Sequence, residues 1–410
     1  MKTLKCNFCK TPLKHTFVDL GMSPMVSSYI KPEEKHQMEP FYPLRVYVCE
    51  QCYLVQLPEA QTPEQIFSDY PYFSSYSKSW LQHIDKYVED ITERFGLDSE
   101  SKIFEIASND GYLLKYFKKK GVPVFGIEPA KNVAEAAIAA GIPTVVKFFG
   151  IQTAQEIIAE GNKADLIVAN NVLAHVPDLG DFVSGMKILL QPQGVISVEF
   201  PHLMKLVEEN QFDTIFHEHF SYLSFITVRK IFSECDLTVF DVEELSTHGG
   251  SLRVFARHQN DDSKSVNDRV MNLEEREIKA GFGKLEGYAA FTKKVDSTKH
   301  KLLNFLIEAK QKGSSIVSYG APGKGCVLLN YCGIRSDFID YTVDLNPHKQ
   351  GYLVPGVHIP IYHPDKIKET KPDYLLILPW NLKEEIVEQM SFIREWGGQF
   401  IVPIPEVKIY

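Results

Sequence analysis

A series of short apolar runs, alternating with segments of helical length, constrains the fold of this chain more than any other feature. The runs are KIFEIAS (102–108), VPVFGIEP (122–129), ADLIVANN (164–171) and GVISVEF (194–200). Each is long enough for one strand. Strands that alternate with helices assemble into a parallel sheet joined by crossover helices. The sequence therefore predicts an α/β domain in this part of the chain.

A second, shorter α/β series follows, with the runs SSIVSYGAPGKG (314–325), DFIDYTVDLNP (337–347) and DYLLILPWN (373–381). It is typical of half of a doubly wound fold. The charged stretch 265–312 predicts one or two long amphipathic helices between the two series. We therefore expect three domains, at 1–70, 71–285 and 286–410.

Composition restricts the classes of partner. The chain has 410 residues and a formal net charge of −9, so we expect more than one core and no nucleic-acid partner, since phosphate requires basic patches. There is no apolar run of membrane-spanning length, and the start, MKTLKCNFCK, does not resemble a signal peptide. We expect a cytoplasmic protein without a membrane partner, as a monomer or a small homo-oligomer.

Four of the seven cysteines form two CxxC pairs near the start of the chain. Each pair can occupy a tight turn, and two such turns supply four thiolates in a tetrahedron, the geometry that Zn²⁺ prefers. Four protein ligands leave no open position, so the zinc is expected to be structural. The alternatives are unrelated thiols or a redox pair. The predicted ligands are Cys6, Cys9, Cys49 and Cys52.

Polar residues follow the predicted strands at the edge where an open α/β sheet binds its ligands. Glu105 ends the first strand, and Asn109-Asp110-Gly111 form the turn before the next helix. Glu128 ends the second strand, where an acid can accept both ribose hydroxyls of a nucleoside. The predicted cofactor-binding residues are Glu105, Ala107, Asn109, Asp110, Gly111, Glu128, Asn170 and Asn171.

The turn after the first strand reads ASNDG and lacks the GxGxxG that cradles a pyrophosphate. S-adenosylmethionine carries no phosphate, so this layout favours a class I methyltransferase with that cofactor. The alternative is a generic α/β domain in which Glu128 is a surface residue.

The run SIVSYGAPGKG has the features of a phosphate cradle: a strand, a glycine-rich loop and the start of a helix. It does not match the P-loop pattern, so the diphosphate of a nucleotide-sugar is favoured over ATP hydrolysis. Asp344 ends the next strand and can meet a ribose. The alternative is a set of structural turns. The residues predicted to bind substrate in this half are Tyr319, Lys324, Asp344, Lys349, Trp380 and Asn381.

The segment FHEHFSY (216–222) places three titratable side chains in a row between aromatic residues. It lacks the HExxH spacing that sets two imidazoles on one helix face, although two histidines of a strand could share a face and hold a metal. A metal site, a structural polar cluster and a catalytic role all remain open from the residues alone. His248-Gly249-Gly250 similarly either lines a sugar pocket or forms a hairpin turn.

The chain resembles the sugar C-methyltransferases of deoxysugar biosynthesis over nearly its whole length. The resemblance is carried by the cysteine pairs followed, in order, by EIASNDG (105–111), GIEP (126–129), NNVLAHVPD (170–178), FDTIFHEHFSYLS (212–224), HGGSLRVF (248–255), SYGAPGKGCVLLNYCGI (318–334) and KQGYLVPGVHIPI (349–361). It implies a zinc-binding domain, a central methyltransferase domain and a C-terminal nucleotide-sugar-binding domain. The implied reaction adds a methyl group to C-3 of a nucleotide-linked 4-keto-6-deoxysugar.

The family's Tyr-x-Glu-His motif matches 216–219, so the resemblance assigns His219 and Glu218 to the reacting carbon, with Tyr76 from YFSSYSKSW. Phe216 stands where the family has tyrosine, and Tyr222 or an ordered water is expected to replace that hydroxyl. Glu218 and His219 can face one substrate only if the segment bends, so we expect a turn there. His217 is expected to have a supporting role.

The implied chemistry needs a base for the C-3 proton and groups that stabilise the resulting enolate. Histidine suits the base because its pKa lies near the working pH, and we expect His219 alone or together with Tyr76. The alternative function is an O- or N-methyltransferase acting on another small molecule. A scaffold that has lost its activity is disfavoured, since the candidate catalytic residues are present.

Overall fold

The computed structural model describes residues 4–68, 74–76 and 78–410, with the side chains at positions 76, 78 and 79 left aside. The strands are β1 (His15–Ser23), β2 (Tyr42–Val48), β3 (Val55–Gln56), β4 (Ile103–Ile106), β5 (Val124–Ile127), β6 (Thr144–Val145), β7 (Ala164–Asn170), β8 (Leu190–Pro201), β9 (Ser221–Tyr222), β10 (Leu237–Leu245), β11 (Ser251–His258), β12 (Ile316–Tyr319), β13 (Thr342–Val343), β14 (Ile361–Tyr362), β15 (Tyr374–Ile377), β16 (Gln399–Val402) and β17 (Lys408–Ile409). The helices are α1 (Pro63–Phe67), α2 (Lys78–Phe95), α3 (Leu114–Lys119), α4 (Lys131–Ala139), α5 (Ile151–Ala159), α6 (Leu179–Leu189), α7 (Leu203–Glu208), α8 (Phe225–Glu234), α9 (Asp268–Lys279), α10 (Glu286–Ala289), α11 (Phe291–Gln311), α12 (Gly323–Cys332), α13 (Lys366–Thr370) and α14 (Lys383–Gln389).

The chain forms two compact units, and each combines three separate segments. The first unit consists of Met1–Leu13, Cys49–Leu203 and Phe220–Lys284. The second unit consists of Lys14–Val48, Met204–His219 and Leu285–Tyr410. The segment Met204–His219, which carries the HEH triplet, therefore folds with the C-terminal part of the chain. The three domain ranges drawn from the sequence stay a prediction.

The first unit is built on a seven-stranded sheet with the order β10-β11-β8-β7-β4-β5-β6. The strands from β8 to β6 are parallel, whereas β11 pairs antiparallel with both β8 and β10. All four predicted apolar runs are strands of this sheet, so the predicted α/β fold is confirmed. Every residue of β4 is buried, which explains a continuous apolar run rather than an alternating one.

The order of the strands fixes where a ligand can bind. From β4 the chain proceeds to β5 and β6 on one side and then to β7 and β8 on the other. The two loops that leave β4 and β7 therefore diverge, and a crevice opens between them at the carboxyl edge of the sheet. Ligands of open α/β sheets bind at such a switch point.

The second unit contains a six-stranded sheet with the order β14-β13-β12-β15-β16-β17. It is parallel except for β17. Here β12 lies between β13 and β15, so the glycine-rich loop after β12 occupies a second switch point. The three runs predicted in this half correspond to β12, β13 and β15.

Helix α11 and the hairpin of β1 and β2 complete the second unit. The ring of Phe17 on β1 stacks on Phe291 at the start of α11, with centroids 4.7 Å apart, and the Thr292 hydroxyl donates to the Phe17 carbonyl oxygen. The charged stretch 265–312 folds as α9, α10 and α11, which confirms the helices predicted there. Within the described residues, we find no helix with the length and apolar character needed to span a membrane.

Candidate functional site

The four cysteines of the CxxC pairs converge in the first unit. Their sulfur atoms all lie within 4.8 Å of one another, with Cys6 Sγ 3.6 Å from Cys52 Sγ and Cys9 Sγ 3.4 Å from Cys49 Sγ. Four thiolates around Zn²⁺ at the usual Zn–S distance have sulfurs about 3.8 Å apart. The quartet therefore fits the predicted structural zinc.

Two of the four sulfur atoms accept hydrogen bonds from nearby amides. The Gln56 side-chain amide donates to Cys6 Sγ over 3.2 Å, and the Gln51 backbone amide donates to Cys49 Sγ over 3.4 Å. The hydrogen bond between the Cys52 and Cys6 thiols lowers the pKa of Cys6 to about 5 and raises that of Cys52, and burial raises the pKa of Cys49 to about 11. Cys6, Cys49 and Cys52 are buried in the core that also holds the sheet residues. The zinc site is thus part of the first unit's own packing.

The loop after β4 has the shape of a ligand-binding turn. Ala107, Asn109 and Gly111 all have positive φ, at 56°, 50° and 75°. A Cβ at Gly111 would come within 2.9 Å of Ile142 Cγ1, so only glycine fits there. The Ser74 backbone amide donates to Asn109 Oδ1 over 2.9 Å. This contact fastens the 3₁₀ turn Ser74–Tyr76 to the loop; the side chain of Tyr76 lies outside the described residues.

Glu128 at the tip of β5 supports the same loop. Its Oε2 accepts from the Asn109 backbone amide over 2.9 Å and its Oε1 from the Ala130 amide over 2.8 Å. Burial raises the pKa of this carboxyl, and the two amides partly oppose that effect. Each carboxylate oxygen keeps a second lone pair, so the group can still accept a ribose hydroxyl.

Several buried polar atoms at this edge of the sheet have no hydrogen-bond partner among the residues that the structure describes. They are Ser108 Oγ, Asp110 Oδ1, both amide atoms of Asn170 and Asn171 Oδ1. Glu105 is 1% exposed, and burial raises its pKa well above the usual range, with only partial opposition from the Tyr112 hydroxyl. Buried polar groups without partners are costly unless a ligand or water satisfies them. These buried atoms fit the polar groups of S-adenosylmethionine.

Next to Asn170, the structure reveals a charged cluster that the sequence did not indicate. Glu199 on β8 is fully buried and accepts from Arg253 Nη2 at 2.8 Å and from Thr247 Oγ1 at 2.9 Å, with His83 Nε2 3.2 Å away. Its backbone carbonyl accepts from the Asn171 amide over 2.7 Å. Glu199 therefore ties α2, β11 and the loop after β7 together.

His248 belongs to the same edge of the sheet. Its Nε2 is 3.3 Å from Asn171 Nδ2, and both residues have left-handed backbones, with φ of 55° and 54°. The Trp80 ring lies 5.4 Å from the His248 ring and 5.0 Å from the His83 ring. His248 thus lies in a 3₁₀ turn at the carboxyl edge of the first unit's sheet. Gly249 and Gly250 follow it, with φ of 91° and 116°.

The FHEH segment forms the predicted turn. The His219 backbone amide donates to the Phe216 carbonyl oxygen over 3.0 Å, and the Phe216 and His219 rings lie 4.2 Å apart. His219 Nδ1 is 3.1 Å from the Thr214 carbonyl oxygen. A carbonyl oxygen only accepts, so Nδ1 carries the proton and the neutral ring has its lone pair on Nε2.

The other two titratable groups of the segment have different surroundings. Glu218 is buried and accepts from the Ser27 hydroxyl over 3.0 Å. His217 Nε2 is 3.3 Å from the Pro43 carbonyl oxygen, its ring packs edge-on against Tyr42, and burial lowers its pKa. Among the described residues, the cysteine quartet is the one cluster of three or more metal-type ligands. The metal interpretation of HEH therefore has no third ligand.

The glycine-rich loop of the second unit is held by Asp344 and Tyr29. The Ala321 backbone amide donates to Asp344 Oδ2 over 2.8 Å, and the Ala321 carbonyl accepts from the Tyr29 hydroxyl at 2.6 Å and from Lys349 Nζ at 3.0 Å. Gly320 has φ 88°, and a Cβ there would meet Pro379 at 2.7 Å. These contacts within the second unit thus fix the loop.

Lys324 in the first turn of α12 is engaged inside the protein. Its Nζ donates to Asn381 Oδ1 over 2.8 Å and lies 4.5 Å from the centre of the Trp380 ring. The Trp380 indole donates to Asp213 Oδ2 over 2.8 Å. Burial lowers the pKa of Lys324 and raises that of Asp213 to about 7, each opposed by the other's charge.

Two further predicted residues, Tyr319 and Tyr222, belong to different units. Tyr319 on β12 is buried and donates to Gln389 Oε1 over 2.7 Å; burial raises its pKa to about 12. Tyr222 lies on β9 of the first unit, where its backbone is paired with Val55. Residues that sequence reasoning missed are Ser27, Tyr29, Asp213, Glu199, His83 and Arg253. Asp213 lies in the sequence FDT, shortly before FHEH, and this closeness was the signal in the sequence that could have pointed to it.

Three families match consecutive parts of the chain. They are described as a zinc binding domain (residues 6–67), a methyltransferase domain (80–242) and a C-methyltransferase C-terminal domain (246–405). The chain is 34% identical over 405 residues to the C-methyltransferase NovU of Streptomyces niveus, covering 99% of this chain and 96% of that protein. A ubiquinone biosynthesis O-methyltransferase of Bartonella tribocorum is 31% identical over 98 residues, which cover 24% of this chain and 40% of that protein.

Likeness to solved structures is more distant. The PH0226 protein of Pyrococcus horikoshii OT3 matches with a TM-score of 0.38 and 13% identity, covering 48% of this chain and 97% of that one. The magnesium protoporphyrin IX methyltransferase of Synechocystis PCC 6803, solved with bound S-adenosylmethionine, matches with a TM-score of 0.33 and 16% identity, covering 43% and 78%. At these scores the two structures add nothing on function.

Proposed function

This chain belongs to the C-methyltransferase family, and we propose that its substrate is a nucleotide-linked 4-keto-6-deoxysugar methylated at C-3. The family membership, a zinc-binding domain and a class I core already make it an S-adenosylmethionine-dependent C-methyltransferase. The proposal concerns the acceptor and the residues that act on it.

The observation that carries the proposal is that the FHEH turn and the glycine-rich loop belong to one compact unit and lie close together. A Cβ at Gly323 would lie 3.0 Å from Val26 Cγ2 and 3.9 Å from Phe216 Cε1. The segment after Val26 carries Ser27, bonded to Glu218, and Tyr29, bonded to the loop carbonyl of Ala321. An acid–base turn beside a phosphate cradle suits a ligand that joins a reactive sugar to a diphosphate.

His219 is the proposed base. Its Nδ1 proton is committed to the Thr214 carbonyl, so Nε2 is the atom that takes the C-3 proton, which the neighbouring ketone makes acidic. Glu218 binds or orients the sugar, and Tyr76 is the proposed second acid–base group. Phe216 contributes only a ring, so Tyr222 or a water is expected to supply the hydroxyl that the family has at this position. When bound, S-adenosylmethionine would supply an electrophilic methyl group: the C–C bond to C-3 of the enolate forms as the S–CH₃ bond breaks, and S-adenosylhomocysteine leaves.

The cofactor is proposed to lie along the carboxyl edge of β5, β4 and β7. Glu128 meets the ribose, the turn Asn109–Gly111 lies beside the methionine part, and Glu105 faces the ammonium. Asn170 and Asn171 then border the transferred methyl. Ala107, with its left-handed backbone, shapes the turn.

The nucleotide is proposed to lie on the second unit. The Gly320–Gly325 backbone and the N-terminus of α12 suit the diphosphate, with Lys349 at its edge and Asp344 at the ribose. Tyr319, Lys324, Trp380 and Asn381 border this loop. His248, Gly249 and Gly250 of the first unit are proposed to contact the sugar.

Hydrogen exchange at carbon tests the proposal most directly. When candidate nucleotide-linked 4-keto sugars are incubated with the protein in D₂O, the C-3 proton should exchange for deuterium. Addition of S-adenosylmethionine should then yield a product whose new methyl group is bound to carbon, as seen by NMR. His219→Asn should abolish both, whereas the matched His363→Asn, at an exposed histidine, should abolish neither. A methyl group found on oxygen or nitrogen would instead establish the alternative function.

A further inference from the structure

We propose that Asp213 is a positioning residue for the reaction, holding the Thr214 carbonyl that fixes the tautomer and direction of the His219 ring. This inference deepens the proposed function and rests on it for the role of His219. The acceptor of the His219 Nδ1 proton is a backbone carbonyl rather than a carboxylate. The orientation of the base therefore depends on how firmly that peptide is held.

The Thr214 carbonyl lies at the end of a short 3₁₀ turn that is not stable by itself. Thr214 ends the single 3₁₀ turn Phe212–Thr214, and a turn of this length has too few internal hydrogen bonds to be stable alone. Its own bonds run from the Thr214 amide and hydroxyl to the Gln211 carbonyl, at 3.1 and 2.7 Å, and from the Ile215 amide to the Phe212 carbonyl, at 3.1 Å. The last bond sets the Thr214–Ile215 peptide within the turn, so external contacts must fix the turn itself for the Thr214 carbonyl to keep its direction.

Asp213 supplies the polar external contact. Its side chain is fully buried, and Oδ2 accepts from the Trp380 indole over 2.8 Å. Lys324 lies over the same indole at 4.5 Å and is tied to Asn381, so the acid, the indole and the ammonium form one buried group. Phe212 packs edge-on against Tyr331 of α12, with centroids 5.5 Å apart. The turn that orients His219 is therefore anchored to α12 and to the residues after β15.

The anchor gives Lys324 a role that differs from phosphate binding. Its ammonium lies on the Asp213 side of the glycine-rich loop and is already hydrogen-bonded. The start of α12, which borders the proposed diphosphate site, is thereby joined to the base. A shift of the reacting groups by about 1 Å can cost 10²-fold in rate. Loss of the contacts between Asp213, Trp380 and Lys324 should therefore lower kcat rather than raise KM.

The test compares Asp213→Leu, which removes the acceptor at similar size, with Asp213→Asn, which can keep it. Asp213→Leu should lower kcat about 10²-fold with little change in KM. Asp213→Asn should keep a kcat much closer to that of the wild type. Trp380→Phe removes the donor and should reproduce the defect. Trp396→Phe is the matched control, since its indole donates to the Pro372 carbonyl elsewhere in the second unit.

A spectroscopic readout needs no substrate. In ¹⁵N-histidine-labelled protein, the His219 signals, assigned with His219→Asn, should show an Nδ1-protonated ring in the wild type. That pattern should be lost in Asp213→Leu and Trp380→Phe and kept in Trp396→Phe. Unchanged His219 signals in a folded Trp380→Phe protein would overturn the proposal, even if Asp213→Leu fails to fold. Failure to methylate any 4-keto sugar would refute the proposed function but leave this readout intact.

Discussion

Replacement of Glu199 by glutamine tests how the carboxyl edge of the first unit's sheet is held together. The side chain keeps its size but loses its charge, and its amide nitrogen must replace an oxygen that accepts from either Thr247 or Arg253. The Arg253 guanidinium then remains buried at 6% exposure, with Glu243 3.4 Å away as its remaining acid.

The expected loss follows from this geometry. Removing one partner of a buried ion pair costs about 3–5 kcal/mol, and the contact to Glu243 favours the lower end, about 3 kcal/mol. For a unit of roughly 230 residues, each kcal/mol shifts the melting temperature by about 2–4 °C. The substitution should therefore lower the melting temperature of the first unit by about 6–12 °C.

The effect should depend on pH with a definite sign. Burial alone would raise the pKa of Glu199, but the bonds from His83 and Arg253 prevail and lower it. A carboxyl with a depressed pKa in the folded state stabilises the protein at neutral pH and loses that contribution as the pH falls through the folded value. The difference between wild type and Glu199→Gln should thus shrink in acid.

Urea unfolding followed by circular dichroism at several pH values measures both effects. The matched control is the double variant Glu199→Leu/Arg253→Met, which removes both charges and should recover more than half of the loss. A Glu199→Gln protein within 1 kcal/mol of wild type at neutral pH would refute the reasoning. So would a loss of equal size at acidic pH.

Three further predictions concern the metal and the two ligands. Cys49→Ser should release the zinc, measured by mass spectrometry of the metal, and lower the melting temperature by about 8–16 °C, since zinc at 1,000 times its Kd contributes about 4 kcal/mol; retention of one zinc per chain would contradict the four-cysteine site. Glu128→Gln puts an amide donor against one of two backbone amides and should weaken S-adenosylhomocysteine binding about tenfold in calorimetry, leaving nucleoside diphosphate binding unchanged. Asp344→Asn should show the opposite pattern, a weakened nucleoside diphosphate with normal S-adenosylhomocysteine, and equal effects on both ligands would refute the separate assignments.

Local patterns predicted the scaffold well. The apolar runs became β4, β5, β7 and β8 because burial on both faces requires continuous hydrophobicity, which is visible in one sequence. The cysteine quartet was predictable because two short motifs carry all four ligands. The turn at 216–219 was predicted from the hypothesis that two adjacent side chains, Glu218 and His219, face one substrate.

Long-range partners could not be predicted in the same way. Glu199 meets His83 and Arg253 at separations of 116 and 54 residues, and nothing in the local sequence marks that pairing. Lys324 was assigned to phosphate because of its place in a glycine-rich loop, but the direction of its side chain depends on Asn381 and Trp380. Such choices are made by tertiary packing, which a motif does not encode.

The interleaving of the two units has a consequence for biosynthesis. Thr292 is bonded to Phe17 across 275 residues, so the first hairpin of the chain must wait for most of translation before its partner exists. Contacts of such sequence separation slow folding and leave apolar surface exposed meanwhile. No contiguous fragment contains either unit without part of the other. We therefore expect that terminal truncations at the sequence-based domain borders yield aggregating fragments, and that two halves co-expressed in one cell restore soluble protein better than either alone.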